Sequence, residues 1–392
     1  MSTGGKLHGV KVLDLSMFLP GPHLTMMMAD HGADVIRIEP PDGEPTRHIG
    51  FMQGGKSVYF RNTHRGKRSL SLNLKIDAAR DLVLELARQS QVFVESFRPG
   101  VMQRLGLDYE TVSAVAPHIV YCSISAYGQT GPMSSRVAHD IAVEAQAGVA
   151  SLTLGHDNKP TLPAIALADM SVSLMSMSAI LMALYKAKES GQGDFIDMSM
   201  LDSLLAWTPN ITGRVFAEGQ PPDAKMERTW GGNAMYNLYQ TADDQWLALG
   251  GAELKFTENL FNGLERPEFI AMCQLPPGEG QLPAHRFLTE TFKTRTLAQW
   301  LEWFEGRDIC YAPVNNLREG FDDPHVAYRE MLLRDEHGHE HIGVPMKFRN
   351  EPARPDLHEP DFGQHNEQIC CEAGLDATQI EQLVAQGVFG TR

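Results

Sequence analysis

The sequence lacks the features that mark several protein classes. Its five cysteines form an odd set without a CxxC pair, which argues against a disulfide framework and a cysteine-based zinc site. Basic residues are scarce, with 34 Lys and Arg against 49 Asp and Glu, and a net charge of −15 argues against general nucleic-acid binding. No GxGxxG motif follows the first predicted strand, so the dinucleotide fingerprint is missing.

The sequence pattern also predicts neither a signal segment nor a membrane-spanning helix. The N-terminus has no charged stretch followed by an apolar one, and the apolar run Leu174–Leu184 is interrupted by serines and too short to cross a bilayer. We therefore expect a cytoplasmic protein that does not bind membranes. The ordinary composition, 43% apolar and 21% charged over 392 residues, predicts two domains or one elaborated domain.

Strands and helices alternate in the first half of the chain. Two helices are predicted, one from the Gly21–Pro22 turn to Asp30 and one over Asp77–Gln89. The predicted strands are Val10–Leu15, Val35–Glu39, Ser69–Leu74, Val92–Glu95, Ile119–Ile124 and Asp194–Met200. This alternation predicts an α/β fold with a mostly parallel sheet, whose carboxyl edge is the place where ligands bind.

The pattern changes after the last of these strands. Residues 234–250 read as a hairpin with Asp243–Asp244 at its turn, and helices are predicted over Leu254–Leu264 and Thr296–Gly306. We assign 225–330 to a second, smaller domain. A further helix is predicted over Thr378–Gln386 in the C-terminal tail.

Two motifs are interpreted as unrelated to function. Gly50–Ser57 matches the phosphate-loop pattern GxxxxGK[ST], but a proline-rich loop precedes it and the β-prone Val58–Phe60 follows, so the match is interpreted as chance. His337, His339 and His341 alternate as metal ligands on a strand would. Because no distant partner ligand stands out, we interpret them as a surface segment and predict no metal site.

Asp169 stands at the head of the long apolar segment Pro163–Lys186. A helix that is apolar nearly all round is a buried helix. The carboxylate is either an N-cap, for which Asp is well suited, or a working group held out of bulk water. His139 and Asp140 precede another helix of small residues, and all three groups at helix entrances are suited to acid–base or covalent carboxylate chemistry.

Basic residues cluster early in this acidic chain. Their two open interpretations are a solvated face with salt bridges and a clamp for a phosphorylated ligand, since the Arg fork suits phosphate oxygens. The cluster comprises Arg37, Arg47, Arg61, Arg65, Lys67, Arg68, Arg98 and Arg104.

Several segments, in order along nearly the whole chain, resemble one known family. These are Leu7–Arg47, Gly66–Lys75, Val94–Tyr109, Ser125–Pro132 and Glu189–Leu205. None alone is specific, but together they resemble the family III CoA-transferases, or CaiB–BaiF group. The resemblance implies an α/β protein with a Rossmann-like large domain, built from 1–224 and 331–392, a smaller α+β domain over 225–330, and an interlaced homodimer. It also implies coenzyme A as co-substrate, with an acyl-CoA and a small carboxylic acid as partners.

The resemblance also assigns roles to individual residues. Asp169 matches the catalytic aspartate, which attacks the thioester to form a mixed anhydride and then an aspartyl-CoA thioester. Arg104 matches a CoA-contacting arginine. The weaker matches to the CoA site are Arg47, Arg65, Lys67, Arg68, Ser96 and Phe97.

The α-methylacyl-CoA racemases of the same superfamily give an alternative. Their catalytic His and Asp match His139 and Asp169, with Asp140 beside the histidine, and Glu253 fits their GAxE-like motif. Formyl-CoA transferases differ from this chain at Leu19, where they have Gln, and at Ser96, where they have Asn. These departures argue against a formyl or oxalate substrate. The stretch Val143–Gly148 after His139 and the stretch Ala312–Pro324 look more like the transferases and favour that activity.

Overall fold

The computed structural model of the protein describes residues 4–155 and 157–390. The chain divides into two compact units. Unit 1 comprises the described parts of Met1–Ser151, Leu162–Trp207 and His325–Arg392, and unit 2 those of Leu152–Thr161 and Thr208–Pro324. The predicted domains, 1–224 with 331–392 and 225–330, stay a prediction.

The strands lie in both units. In chain order they are β1 (Lys11–Asp14), β2 (Asp34–Glu39), β3 (Met52–Gln53), β4 (Lys56–Ser57), β5 (Arg68–Ser71), β6 (Val92–Glu95), β7 (Val120–Ser125), β8 (Asp194–Ser199), β9 (Tyr236–Gln240), β10 (Trp246–Gly250), β11 (Tyr311–Pro313), β12 (Leu332–Arg334) and β13 (Glu340–Ile342). The six strands predicted for the first half are all present, with ends that match or are shifted by at most three residues.

Helices separate most of the strands. They are α1 (Pro20–Asp30), α2 (Val58–His64), α3 (Asp77–Arg88), α4 (Val101–Leu105), α5 (Tyr109–Val115), α6 (Asp140–Gln146), α7 (Leu167–Ser190), α8 (Met200–Ala206), α9 (Gly213–Glu218), α10 (Leu254–Gly263), α11 (Glu268–Cys273), α12 (Leu282–Phe292), α13 (Leu297–Phe304), α14 (Leu317–Asp322), α15 (Pro324–Tyr328), α16 (Asn366–Glu372) and α17 (Ala377–Ala385). The five predicted helices with stated ends are confirmed to within about two residues.

Unit 1 is built on a six-stranded parallel sheet with the order β5-β2-β1-β6-β7-β8. Neighbouring residues of β1 point to opposite faces, so Val12 packs in one hydrophobic core and Leu13 in the other. The C-terminal helices return to the Leu13 side, where Ile369 and Leu383 join the core. The predicted α/β class with a mostly parallel sheet is confirmed, and both faces of the sheet are covered.

The strand order reverses between β1 and β6, which is where open α/β sheets bind ligands. The loops after these two strands contact each other directly. The backbone N–H of Met17 donates to the Ser96 hydroxyl at 2.9 Å, and Leu15 N donates to the carbonyl of Val94 at 2.8 Å. The sheet therefore holds the loop after β1 firmly at its carboxyl edge.

Helix α7 differs from its prediction as a buried helix. It begins at Leu167, runs for 24 residues, and leaves a face with Met182 and Tyr185 exposed at 67% and 73%. Its length and apolar composition suffice to cross a bilayer, so the expectation that the run ends too soon was wrong about length. A core helix of a soluble protein passes the same test, which makes this weak evidence for a membrane.

Unit 2 contains a three-stranded antiparallel sheet with the order β11-β10-β9. The predicted hairpin is confirmed as β9 and β10, with Asp244 in its turn at φ 58°. Helices α10 to α13 pack an aromatic core on this sheet. Within it, the Trp300 indole N–H donates to the Phe292 carbonyl at 2.8 Å, which satisfies a polar group that burial would otherwise penalise.

The phosphate-loop match is a β-hairpin. Strands β3 and β4 pair antiparallel, and Gly54 and Gly55 turn the chain with φ of 63° and 80°. Two consecutive positive φ values suit glycine and a tight hairpin turn. The hairpin supports the interpretation as a chance match, which stays a prediction, whereas the expectation of a β-prone segment at Val58–Phe60 was wrong because these residues begin helix α2.

The histidine segment is only partly at the surface. His341 is 1% exposed in β13, so its interpretation as a surface residue was wrong. Asp335 orders the segment, because its carboxylate accepts from the His339 ring at 3.1 Å and lies 3.4 Å from Nε2 of His341. Within residues 4–155 and 157–390, no group of three or more His, Cys, Asp or Glu is arranged to hold a metal ion.

Candidate active site

Asp169 is the third residue of helix α7 and does not cap it. The N-cap is Ala166, whose side chain makes no hydrogen bond to the helix. The first N–H groups of a helix have no partner within the helix, so they need acceptors from elsewhere. The N-cap alternative for Asp169 was therefore wrong, and its carboxylate is left for another use.

Two carboxylates of helix α6 cap α7 instead. One oxygen of Asp140 accepts from the backbone N–H of Ala168 at 2.8 Å and of Asp169 at 3.0 Å. An oxygen of Glu144 accepts from the N–H of Leu167 at 3.1 Å. Asp140 and Glu144 are four residues apart on α6, a spacing that places them on one helix face. The backbone of Asp169 is thus fixed by Asp140, which gives Asp140 a positioning role.

The Asp169 carboxylate lies in an acidic, half-buried environment. Burial, and then the nearby Asp140 and Glu144, raise its pKa from 3.8 to about 7. Within the described chain, no hydrogen bond or ion pair engages this carboxylate. A desolvated carboxylate without a partner is the arrangement expected of a nucleophile or a general base.

His139 and Phe18 complete the neighbourhood. His139 is exposed at the N-cap position of α6, and its ring meets that of Phe18 edge-on with centroids 5.7 Å apart. Phe18 has a φ of 63°, which is strained for an aromatic residue, and its N–H donates to buried Glu44 at 2.9 Å. The loop after β1, the start of α6 and the start of α7 therefore meet at one place.

Tyr59 of helix α2 belongs to the same neighbourhood. Burial raises the pKa of its hydroxyl, and the charges of Asp169 and Glu44 raise it further. The Tyr59 hydroxyl is therefore protonated at neutral pH, and sequence reasoning did not identify this residue. No spacing in the sequence signals it, since it comes from the helix that follows the β3–β4 hairpin.

Glu144 was also missed, although the sequence contains a usable signal. The D-x-x-x-E spacing of Asp140 and Glu144 predicts two carboxylates on one helix face. What the sequence does not reveal is that this face meets the start of α7. That contact is a tertiary one.

Most of the basic cluster lies in buried ion pairs. Lys67 contacts Asp14 at 3.0 Å and Arg65 contacts Asp30 at 2.7 Å, and all four side chains are almost fully buried. Arg47 pairs with Glu39, also at 2.7 Å. These residues therefore form neither a solvated face nor a free clamp. Because Arg47, Arg65 and Lys67 each already have an acidic partner, their predicted contacts with CoA stay predictions.

The remaining predicted CoA residues differ in availability. Arg68 is held by Asp34 and Glu372, at 2.7 and 2.8 Å. The Ser96 hydroxyl accepts from Met17, and Phe97 is half-buried beside it. Arg104 on α4 is exposed, and its guanidinium makes no ion pair within the described residues. Arg104 is therefore the most available cation of the predicted set.

Glu253 lies in unit 2, apart in the chain from the other predicted catalytic residues. It is exposed at the N-cap position of α10, where its side chain makes no capping hydrogen bond. Its proposed catalytic role stays a prediction.

Comparison of this sequence with models of known protein families identifies the family of the chain. The model described as CoA-transferase family III matches residues 7–366. This chain belongs to CoA-transferase family III. The predicted family is thereby confirmed, and the sheet and the carboxylates described above are features of a family III member.

Relatives within and near the family differ in activity. The human succinyl-CoA:glutarate CoA-transferase is 33% identical, over 97% of this chain and 89% of its own length. The human alpha-methylacyl-CoA racemase is 31% identical, over 96% of both chains. A CAIB/BAIF family protein from Brucella suis has a similar crystal structure, with a TM-score of 0.83, 28% identity, and coverage of 95% of this chain and 100% of that one.

Proposed function

We propose that this family III member transfers CoA between an acyl-CoA and a carboxylic acid, with Asp169 as the covalent nucleophile. The Asp169 carboxylate attacks the thioester carbonyl, the C–S bond breaks, and an acyl–aspartyl anhydride and CoA thiolate form. The thiolate attacks the aspartyl carbonyl and releases the donor acid, leaving an aspartyl-CoA thioester. The acceptor carboxylate then repeats these two steps in reverse, which regenerates Asp169 and gives the new acyl-CoA.

One observation carries this proposal. The Asp169 carboxylate has no partner among the described side chains, while its backbone is held by Asp140. A fixed carboxylate next to a bound thioester reacts at a high effective concentration. Partial burial removes solvation from the anion, and the start of α7 offers a positive dipole to the charge that develops.

The relatives support a short dicarboxylic acid as a substrate. The human relative is named for succinyl-CoA and glutarate, and a Haloarcula marismortui relative, 31% identical over 95% of this chain, for succinyl-CoA and mesaconate. We propose succinyl-CoA as donor and a four- to five-carbon dicarboxylate as acceptor. Leu19 and Phe18 in the loop after β1 make this end of the site apolar, which disfavours oxalate.

Mass spectrometry of trapped enzyme tests the mechanism. Incubation with succinyl-CoA without acceptor should leave a CoA adduct on the peptide that contains Asp169, and addition of glutarate should remove it as glutaryl-CoA. Asp169→Asn should give no adduct. Transfer without any adduct on Asp169 would overturn the covalent mechanism.

Racemisation is the second candidate, because His139 stands directly beside the group that fixes Asp169 and a racemase is among the relatives. In that reaction one group removes the α-proton of a 2-methylacyl-CoA and the other returns it on the opposite face. Exchange of the α-hydrogen with deuterated water, without an acceptor acid, identifies this activity. His139→Ala should abolish the exchange, but only slow CoA transfer.

We also propose that the chain works as an interlaced homodimer. The exposed apolar face of α7 supports this, since a soluble protein rarely leaves so large an apolar face uncovered. It continues into exposed Leu205 and Trp207 at the end of α8. Light scattering should give twice the mass of 43.4 kDa, and Met182→Glu with Tyr185→Glu should shift the protein toward monomer.

A further inference from the structure

The start of helix α7 is capped by side chains of helix α6, and one of these side chains has an oxygen without a hydrogen-bond partner among the described residues. Glu144 is 0% exposed. Its first oxygen accepts the N–H of Leu167 at 3.1 Å. Its second oxygen is buried, and no donor among the described residues reaches it. An unsatisfied buried oxygen is costly, so a native structure that contains one needs an explanation.

The neighbouring carboxyl supplies the explanation. The carboxyls of Glu144 and Asp140 accept from the successive backbone N–H groups of Leu167 and Ala168, so they lie side by side at the start of α7. Two ionised carboxylates have no proton with which to bond each other, so a hydrogen bond between them requires one of them to be protonated. Asp140 already accepts from two backbone N–H groups, at 2.8 and 3.0 Å, which favours its ionised form. The proton of the pair therefore belongs on Glu144, whose second oxygen then becomes a donor to Asp140.

The charges around Glu144 favour the same protonation state. Its own helix contributes Asp140 and exposed His139, and α7 contributes Asp169. Helix α8, which also packs on α6, carries a single ionisable side chain, exposed Asp202, and the first cation of α7, Lys186, lies more than four turns from Asp169. No Lys or Arg of the described residues pairs with the three carboxyls. Burial, and then the neighbouring Asp140 carboxyl, raise the pKa of Glu144 to about 7.

We propose that Glu144 is a positioning residue that acts as a neutral carboxylic acid. Its hydroxyl donates to Asp140, its other oxygen holds the N–H of Leu167, and the pair sets the start of α7 and hence the place of Asp169. This inference rests on the proposed role of Asp169 in CoA transfer. Loss of the Glu144 proton places two anions face to face, which opens the cap and misplaces the nucleophile.

The proposal assigns opposite roles to two groups that titrate in one pH range. Asp169 must be ionised to attack, whereas Glu144 must be protonated to hold the cap. The rate of transfer then passes through a maximum as pH rises. Because the carboxyls interact, the two limbs of the profile report the cluster as a whole.

Substitution of Glu144 separates the two limbs. Glu144→Gln mimics the neutral acid, because its amide can accept from Leu167 and donate to Asp140. We expect kcat near the native value, an acid limb that is little changed because one neutral side chain replaces another, and no alkaline limb. Glu144→Met keeps the volume without hydrogen bonds, and should lower kcat about tenfold or more with an unchanged KM for CoA substrates. Glu110→Gln, an exposed acid in the first turn of α5, is the matched control and should leave the profile unchanged.

An infrared measurement tests the protonation without turnover. The ligand-free protein at neutral pH should show the carbonyl band of a buried protonated carboxyl that Glu144→Gln removes and Asp169→Asn retains. An alkaline limb that persists in Glu144→Gln, native kcat in Glu144→Met, or a band insensitive to Glu144→Gln would each overturn the inference. Absence of CoA transfer in the native protein together with a Glu144-dependent band would instead overturn the proposed function alone.

Discussion

Two groups of buried ionisable side chains lie in the same unit and behave in opposite ways. In the first, Asp14 meets Lys67 at 3.0 Å and Arg37 at 3.3 Å. Burial opposes ionisation there, but Lys67 and Arg37 outweigh it and hold the pKa of Asp14 well below its usual range. In the second, Asp140, Glu144 and Asp169 lie together, and no Lys or Arg of the described residues pairs with them; the pKa values of Glu144 and Asp169 rise to about 7.

The comparison shows that density of charge does not by itself mark a functional site. The two groups contain the same number of ionisable residues, yet the charges of the Asp14 group compensate one another and Asp14 also accepts hydrogen bonds from Ser16 and Thr25. Such a group stabilises one arrangement of the loop after β1. The Asp169 group retains a carboxylate that has no partner among residues 4–155 and 157–390, and such a carboxylate is available to a substrate.

The largest effect is expected for the nucleophile itself. Asp169→Asn removes the attacking oxygen and should lower the rate of CoA transfer by about a thousandfold or more, since no other described carboxylate is both free and placed beside it. A coupled assay with succinyl-CoA and glutarate measures this. Asp202→Asn, an exposed acid in the first turn of α8, is the matched control and should keep native activity. If Asp169→Asn retained CoA-transfer activity, the Asp169 group would not be the catalytic group.

The same chemical change in the compensated group should instead damage the fold. Asp14→Asn leaves Lys67 and Arg37 buried without a counter-charge, and the free energy of unfolding should fall by about 3–5 kcal/mol. Denaturant titration measures the loss. If Asp14→Asn had the same midpoint of unfolding in denaturant as the native protein, the Asp14 group would contribute no stability. The contrast between the two groups would then fail.

The sequence predicts the layered fold well because the fold depends on local patterns. The alternation of β1, α1 and β2, and the apolar run Val92–Glu95, follow from side-chain periodicity and turn residues that lie within a few positions of each other. The exposed face of α7 could not be predicted in this way. Periodicity shows that a face is apolar, but it does not show which surface covers it.

The site was predicted in part, for the same reason. Asp169, His139 and Asp140 each stand next to a helix start, a local signal, and the structure brings Asp169 and Asp140 together. The fate of the basic residues was not predictable. Lys67 lies 53 residues from Asp14 in the chain and meets it only because β1 and β5 share one sheet. A list of cations does not reveal which of them have partners.

Asp169 should also cost the protein stability, in contrast to Asp14. Its folded pKa of about 7 exceeds its ordinary 3.8, so the folded state holds a proton that the unfolded chain releases, and stability falls as pH rises through that window. Asp169→Asn removes this penalty and should raise the free energy of unfolding above pH 7 by about 2 kcal/mol, with little change at acidic pH. Denaturant titrations of both proteins at two pH values give the difference. The pKa values of Glu144 and Glu95 are also raised, so the unfolding free energy of Asp169→Asn should still fall with pH, but less steeply than that of the native protein. Equal stabilities above pH 7 would mean that the carboxylate is well solvated.

The smallest effect is expected when an exposed cation and a paired cation are each replaced by alanine. Arg104 is exposed and unpaired within the described chain, whereas Arg68 is held by Asp34 and Glu372. If Arg104 contacts CoA, Arg104→Ala should raise the KM for succinyl-CoA about tenfold with little change in kcat, because the lost contact is the same in ground and transition states. Arg68→Ala is the matched control; it should leave KM unchanged and lower stability by about 1 kcal/mol, because the partly exposed Asp34 and Glu372 stay solvated without it. The opposite result, a raised KM in Arg68→Ala alone, would show that CoA displaces the acidic partners of Arg68 on binding and that pairing in the free protein does not exclude a cation from the site.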